Sequence, residues 1–365
     1  MNKEFGIRVN DQKYPTIGVV IPVGNSEAYI ESFLFRFIET TKRYQGIVKT
    51  ALVCNNSSRA CFEIIQGFEN EDLQVYNISC CLNGISHARN YGIHKLPRCV
   101  EYIGFLDDDD SFTDSGFEKF NQNFNADVDI ISFGWNEISC STSTVKYNPM
   151  PRNSVVDCDQ IINEDVPQYL LLPRQMPYLG YVWGKFFKKN IIVDNNIQFN
   201  ENISTFEDVL FLMQAIAVSK RVQFVDHALL TQNWITKPEQ DKASFAGHQL
   251  ERGLGFIYVA RFLRQNLLGS ISLAEFERQT LLTRYCGYLF YFTLIRAFRR
   301  SNLRDTFCVY FRARQLVKKL DLEFGLSAYT VIPSTGEFVL VGRLHSYKMW
   351  TPAILICICK SRGWI

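Results

Sequence analysis

Apolar and polar positions in the first hundred residues change period in a repeating order. Thr16 to Val23 is a β-branched apolar run closed by Pro22-Val23-Gly24-Asn25, the pattern of a buried strand that ends in a loop. From Ser26 to Gln45 the residues Ile30, Phe33, Leu34, Phe37 and Ile38 fall at helical spacing, with Asn25 or Ser26 placed to cap that helix. Ala51 to Cys54 reads as a second strand, followed by the turn Asn55-Asn56-Ser57-Ser58 and a helix carrying Ile64, Ile65 and Phe68. Leu73 to Ile78 is a third strand, and Asn83-Gly84 opens a turn into a helix from Ser86 to Leu96. Tyr102 to Leu106 is a fourth strand that runs directly into Asp107-Asp108-Asp109-Asp110.

Strands separated by helix-length segments predict a parallel sheet with right-handed crossovers covering both faces. Ligands of such sheets bind beyond the carboxyl ends of the strands. The polar clusters after the first, second and fourth strands, and before the third helix, all belong to that edge, so they are expected to share one crevice. Further on, Val128 to Trp135 reads as a strand, Asn136 to Pro151 as a loop, and Val222 to Val225 as an edge strand. Phe206-Glu207-Asp208 leads into a helix with Val209, Leu212, Met213, Ile216 and Ala217 on one face. From His248 to Leu320 the pattern turns helical and aromatic, which places a boundary between Lys237 and Gly247. The expected organisation is an α/β domain over 14–237 and a helical, basic and aromatic region over 245–365.

Composition narrows the class. With 365 residues, 47% hydrophobic and 14% aromatic, the chain is a packed globular protein and not a disordered one. Its 39 basic and 37 acidic residues leave a net charge of +2, which excludes a surface that is basic throughout, and no nucleic-acid partner is expected. Eleven cysteines, an odd number with no CxxC pair, argue against a disulfide framework and a zinc ribbon; reduced core thiols are expected. Residues 1–16 lack the apolar segment of a signal peptide, and no stretch reaches the roughly 18 to 20 apolar residues of a membrane-spanning helix. These features point to a cytoplasmic protein.

Four consecutive carboxylates repel one another unless a cation sits among them or some stay protonated. Hard oxygen ligands of this kind suit Mg²⁺ or Mn²⁺, which bridge to substrate phosphates. In isolation Asp107 to Asp110 would be a solvated acidic turn; at the end of an apolar strand it becomes a candidate metal site.

Taken in order, Thr16-Ile-Gly-Val-Val-Ile-Pro-Val-Gly-Asn25, Gly84-Ile-Ser-His-Ala-Arg-Asn90, Tyr102-Ile-Gly-Phe-Leu-Asp-Asp-Asp-Asp110 and Phe206-Glu-Asp208 resemble family 2 glycosyltransferases of the GT-A fold. Trp183-Gly-Lys-Phe-Phe-Lys-Lys-Asn190 resembles the segment that precedes the Glu-Asp motif in bacterial polysaccharide-building members. The likeness covers Pro15 to Trp234. It implies a nucleotide-diphospho-sugar transferase fold with a mostly parallel central sheet and a C-terminal helical region. It also implies inverting transfer of a sugar from a nucleotide-diphosphate donor, a UDP-sugar, to the hydroxyl of a glycan or lipid-linked glycan acceptor. The resemblance assigns a divalent metal, Mn²⁺ or Mg²⁺, to Asp109, and the ribose and diphosphate neighbourhood to Asp107 and Asp108. It puts Pro22, Val23, Asn25, Asn55, Asn83 and Arg89 near the donor, and gives Asp208 the role of general base beside Glu207. On this assignment Asp109 and Asp208 must face one cleft.

Three positions depart from the family pattern: Asn55 stands where an Asp is usual, Gly24 where an aromatic is common, and His87 where a small residue precedes Ala-Arg-Asn. Asn55 still donates and accepts hydrogen bonds but supplies no charge. Two other classes fit parts of the pattern. A sugar-nucleotide nucleotidyltransferase would need a glycine-rich basic loop after the first strand, which Gly24-Asn25-Ser26-Glu27 is not, and a non-catalytic nucleotide or glycan binder would explain the departures. In the last third, eight basic residues against one acid between Arg296 and Leu320, interleaved with aromatics, suit either a solvated helical face or peripheral contact with the inner face of the cell membrane.

Overall fold

The computed structural model describes residues 13–79, 84–138, 143–171 and 176–233, together with 255, 257–275, 277–278, 282, 310–311 and 315. Strands β1 (Ile17–Val23), β2 (Val48–Asn55), β3 (Leu73–Ile78) and β4 (Tyr102–Phe105) alternate with helices α1 (Ile30–Thr41), α2 (Arg59–Gln66) and α3 (Gly84–Lys95). Then follow β5 (Ser111–Phe112), α4 (Gly116–Asn123), β6 (Ile130–Ile138), β7 (Val145–Asn148) and β8 (Val155–Asp157). A helical stretch runs through α5 (Cys158–Gln160), a π turn (Ile161–Asp165) and α6 (Val166–Leu171). After a 3₁₀ turn (Pro177–Gly180) come β9 (Lys185–Lys188), α7 (Lys189–Asp194), α8 (Glu207–Val218) and β10 (Arg221–Asn233).

All these strands join one sheet in the order β3-β2-β1-β4-β9-β6-β10-β5, with β7 on β6 and β8 on β10. β3, β2, β1, β4, β6 and β10 run one way, and β9 is the reversed strand in their midst. The expected mostly parallel sheet is thus present. Every residue of β1 is buried, as a central strand covered on both faces requires. α3 packs on β1 and β2. Gly92 makes that approach possible: a Cβ there would lie 2.4 Å from Val20 Cγ1.

Several expectations are corrected. α1 starts at Ile30, and neither Asn25 nor Ser26 caps it through a side chain, because both are engaged elsewhere. The stretch from Asn136 to Pro151 is not all loop: β6 extends to Ile138 and Val145–Asn148 pairs back on it. Val222 to Val225 belongs to a 13-residue strand bonded to β6 on one side and to β8 and β5 on the other, so it is not an edge. α8 is buried nearly all round and not on one face, as Leu210, Phe211 and Ala215 join the predicted residues in the core.

The proposed boundary at 237–247 and most of the basic stretch at 296–320 lie outside the described residues. Among the described residues no helix is long and apolar enough to cross a membrane. Cys54, Cys61 and Cys158 are free and buried and Cys99 is free and exposed, in line with core thiols; burial pushes Cys54 up to about 12.

Candidate active site

The strand ends converge as expected. A cavity of about 530 Å³ opens at the carboxyl edge of β1, β2 and β4, with Pro22, Val23 and Gly24 on one wall, Asn55 and Gly84 on another, and Asp107 to Asp110 along its floor. The floor is braced by the first loop: Asp108 Oδ2 accepts from the Gly24 N–H at 3.2 Å and from the Ser26 hydroxyl. These bonds oppose the desolvation that pushes Asp108 upward. Gly24, where the family commonly has an aromatic, therefore lends its backbone to the acidic loop.

Asp107, Asp109 and Asp110 bring carboxylate oxygens within 4.8 Å of one another. An all-oxygen donor set this compact fits a hard divalent cation. Asp110 is the member that the resemblance left unassigned. It is 4% exposed, and burial together with the Asp107 charge pushes it up to about 8. Asn233, at the end of β10, ties the loop from the far side: its N–H donates to Asp110 Oδ1 and its side-chain amide to the Asp109 carbonyl, both at 3.0 Å. No local signal marked Asn233, since its role depends on where β10 ends.

Asn55 stands at the end of β2. Its amide nitrogen donates to the Gly84 carbonyl at 2.9 Å, while its buried Oδ1 has no partner. The orphaned acceptor lies at the cavity wall, where a ligand N–H would satisfy it. Asn25, expected near the donor, is exposed and is not among the residues that line the cavity; its Oδ1 accepts from the Ser58 N–H at 3.0 Å. Asn83 is outside the described residues.

Arg89, on α3, does not stand on the cavity wall. It is 1% exposed and sits behind Asp107, to which its Nη2 donates at 2.9 Å. Its Nη1 donates to Asp208 Oδ1 at 2.5 Å and lies 3.6 Å from Glu207 Oε1. One guanidinium thus joins the acidic floor to the Glu-Asp pair that opens α8. Phe206, just before that pair, adopts φ 66° and ψ 8°, a left-handed conformation costly for a residue with a side chain. Burial raises both Glu207 and Asp208, and Arg89 opposes it in each case. Asp109 and Asp208 are therefore neighbours through Asp107 and Arg89, with Asp109 on the cavity floor and Asp208 one side chain behind it.

His87 does not face the site chemistry. Its Nδ1 lies 3.0 Å from Glu201 Oε2, and Glu201 also accepts from Asn90, which pins α3 to the loop before α8. Lys185, on β9, is a buried cation that sequence analysis passed over, and Asp208 is the acid whose charge acts on it.

Comparison with known proteins bears on the family and the fold. The profile described as Glycosyl transferase family 2 matches residues 18–187. The "Uncharacterized glycosyltransferase EpsJ" of Bacillus subtilis is 24% identical over 216 residues, 59% of this chain and 60% of that protein. The "Minor teichoic acid biosynthesis protein GgaA" of Bacillus subtilis is 20% identical over 292 residues, 79% of this chain and 61% of that protein. The chain thus spans about three fifths of the length of these curated relatives. Among solved structures, S. aureus TarS 1-349 in complex with UDP-GlcNAc superposes with a TM-score of 0.60 at 14% identity, covering 96% of this chain and 92% of that one. At such identity the likeness shows the fold alone.

Proposed function

We propose that the protein, whose residues 18–187 match the Glycosyl transferase family 2 profile, is an inverting glycosyltransferase that moves a sugar from a nucleotide-diphosphate donor to an acceptor hydroxyl. The observation that carries this reading is the Arg89 bridge. It links a carboxylate cluster suited to a metal and a diphosphate with a buried carboxylate suited to take a proton.

The donor's base lies along Pro22 and Val23, with Asn55 Oδ1 accepting from a base N–H. UDP is the nucleotide proposed, in keeping with the UDP-GlcNAc complex of the structural neighbour TarS. Asp109, together with Asp107 and Asp110, would hold Mn²⁺ or Mg²⁺; a bound cation there would supply Lewis-acid stabilisation of the leaving diphosphate. Asp108, tied to Gly24 and Ser26, keeps the floor in register with the donor loop.

Asp208 acts as the general base. As the acceptor oxygen bonds to the anomeric carbon, its proton passes to the Asp208 carboxylate, and the bond from that carbon to the diphosphate oxygen breaks with its electron pair leaving on the phosphate. Attack opposite the leaving group inverts the anomeric centre. Glu207, beside Arg89, takes no proton from substrate and shares the cation's field. The acceptor is a surface polysaccharide or teichoic-acid-like glycan, free or lipid-linked, in line with the printed name of GgaA. The reaction takes place on the cytoplasmic side of the membrane.

The test is Asp208→Asn. Calorimetric affinity for UDP with Mn²⁺ should stay within a few-fold of wild type while turnover of the nucleotide sugar falls by about 10²- to 10⁴-fold. Turnover near the wild-type rate would remove Asp208 from the chemistry. If the variant and wild type bind UDP equally and neither turns over any nucleotide sugar, the chain is a non-catalytic binder.

A further inference from the structure

Residues 199–205, between α7 and α8, are strapped to α3 by side chains that the transfer chemistry above does not use. Asn90 pairs in both directions with the backbone of Phe199: its Nδ2 donates to the Phe199 carbonyl and its Oδ1 accepts from the Phe199 N–H, both at 2.9 Å. The same Nδ2 donates to Glu201 Oε1 at 2.9 Å, and Glu201 Oε2 lies 3.0 Å from His87 Nδ1. A carboxylate only accepts, so Nδ1 is the donor of that pair. Phe199 is 1% exposed; the Arg89 guanidinium lies over its ring at 5.1 Å, and Phe211 of α8 stacks on it with centroids 4.1 Å apart. His87, Arg89 and Asn90, close together on α3, thus grip residues 199–201 and, through Phe199, the helix that carries Asp208.

The strap leads directly into the turn that delivers Asp208. Phe206 adopts φ 66°, which a residue with a side chain holds only where its surroundings impose it. Just before it, Ser204 Oγ and Thr205 Oγ1 are buried with no hydrogen-bond partner among the described residues, so these hydroxyls do not fix the turn. The fixed points are the Glu201 clamp ahead of the turn and the Arg89–Asp208 bond behind it. Both end on one rigid helix, α3, at positions two residues apart. A segment fastened in this way at either end holds its charged group in one place. Gly84, Ile85 and Ala88 of the same helix line the donor cavity, and His87 is not among the lining residues.

We propose that His87 and Glu201 are positioning residues for the base: their contact fastens the strap to α3 and so sets the Phe206 turn that holds Asp208 at Arg89. The proposal rests on the assignment of Asp208 as base. His87 acts through the strap, so its loss moves Asp208 and leaves the donor wall as it was. A displacement of about 1 Å at a reacting group is enough to cost on the order of 10²-fold in rate.

His87→Ala, which removes the donor, and His87→Asn, whose amide N–H takes the place of Nδ1–H, test it in the full chain. The two side chains of the pair are 31% and 29% exposed, so truncating either leaves no sealed cavity and the variants should fold. With the nucleotide sugar that the wild type turns over, kcat of His87→Ala should fall about 10- to 100-fold with the donor KM within two-fold of wild type, and His87→Asn should recover most of the loss. The double variant His87→Ala/Glu201→Ala should be no slower than Glu201→Ala alone. Hydrogen exchange read by mass spectrometry should quicken across residues 199–210 in His87→Ala and keep its wild-type rate in His87→Asn. A folded His87→Ala with wild-type kcat overturns the proposal, as do unchanged exchange over 199–210, an Asn variant as slow as the Ala variant, or losses that add in the double variant. An active Asp208→Asn would instead overturn the base assignment; an inactive Asp208→Asn beside wild-type turnover in His87→Ala would overturn the role of His87 alone.

Discussion

Arg89 Nη1 donates to Asp208 Oδ1 at 2.5 Å, across 119 positions of sequence, while the other end of the same guanidinium reaches Asp107. A planar fork suits two carboxylates at once, and a point charge does not. The pairing binds α3, the acidic loop and the start of α8 into one unit, so its loss should be felt in both stability and rate.

Arg89→Met leaves the buried Glu207 and the half-buried Asp107 and Asp208 without their shared cation. It should destabilise the protein by about 3–5 kcal/mol, read as a lowered thermal midpoint. Arg89→Lys should recover part of that stability and little of the turnover, because an ammonium cannot donate in the fork geometry. Equal thermal midpoints for wild type and Arg89→Met would contradict the bridge.

Metal binding should depend on pH. Asp110, held up to about 8 by burial and its acidic neighbours, must give up its proton before it can serve as a ligand. Mn²⁺ affinity should therefore rise between pH 6 and pH 8.5, with protons released on binding. Calorimetry in buffers of different ionisation enthalpy measures both. Affinity that is flat with pH and free of proton release would exclude Asp110 from the site.

Lys185 predicts that stability, too, rises with pH. Its folded-state pKa, about 7, lies below that of an unfolded lysine, so between these values the unfolded chain binds more protons and stability rises with pH. Thermal midpoints of wild type minus Lys185→Met, measured from pH 6.5 to 9.5, should climb with pH. A constant difference would mean that the ammonium is not depressed in the folded state.

Gly92→Ala drives a methyl group into Val20 at the α3–β1 contact. The extra volume should cost about 1–3 kcal/mol, and it should lower turnover as well, since α3 carries Arg89. A variant as stable and as active as wild type would show that the helix can shift freely, against the close packing seen here.

Much of the site was legible because it is built from strand ends. A β-branched run followed by Pro22-Val23, a second strand ending at Asn55, and an apolar strand leading into Asp107 each announce a position on the same sheet edge. The hairpin of β6 and β7 was missed because its apolar residues Val145 and Tyr147 face solvent and do not join the core, so the segment is held as a strand only by its partner. β10 was read too short: its register shifts between Val225 and Leu230 interrupt the alternation that marks a strand.

By itself, then, the order of residues determined the alternating architecture, the acidic floor and the Glu207-Asp208 pair, because period and strand-end chemistry are local properties of a chain. Folding in three dimensions decided that Arg89 would leave the cavity wall to join two acids, that Asn233 would clamp the Asp109-Asp110 loop, and that Lys185 would be buried in the field of Asp208. These roles come from charges brought together from distant segments and stripped of water, and neither distance through space nor burial is written in any one stretch of sequence.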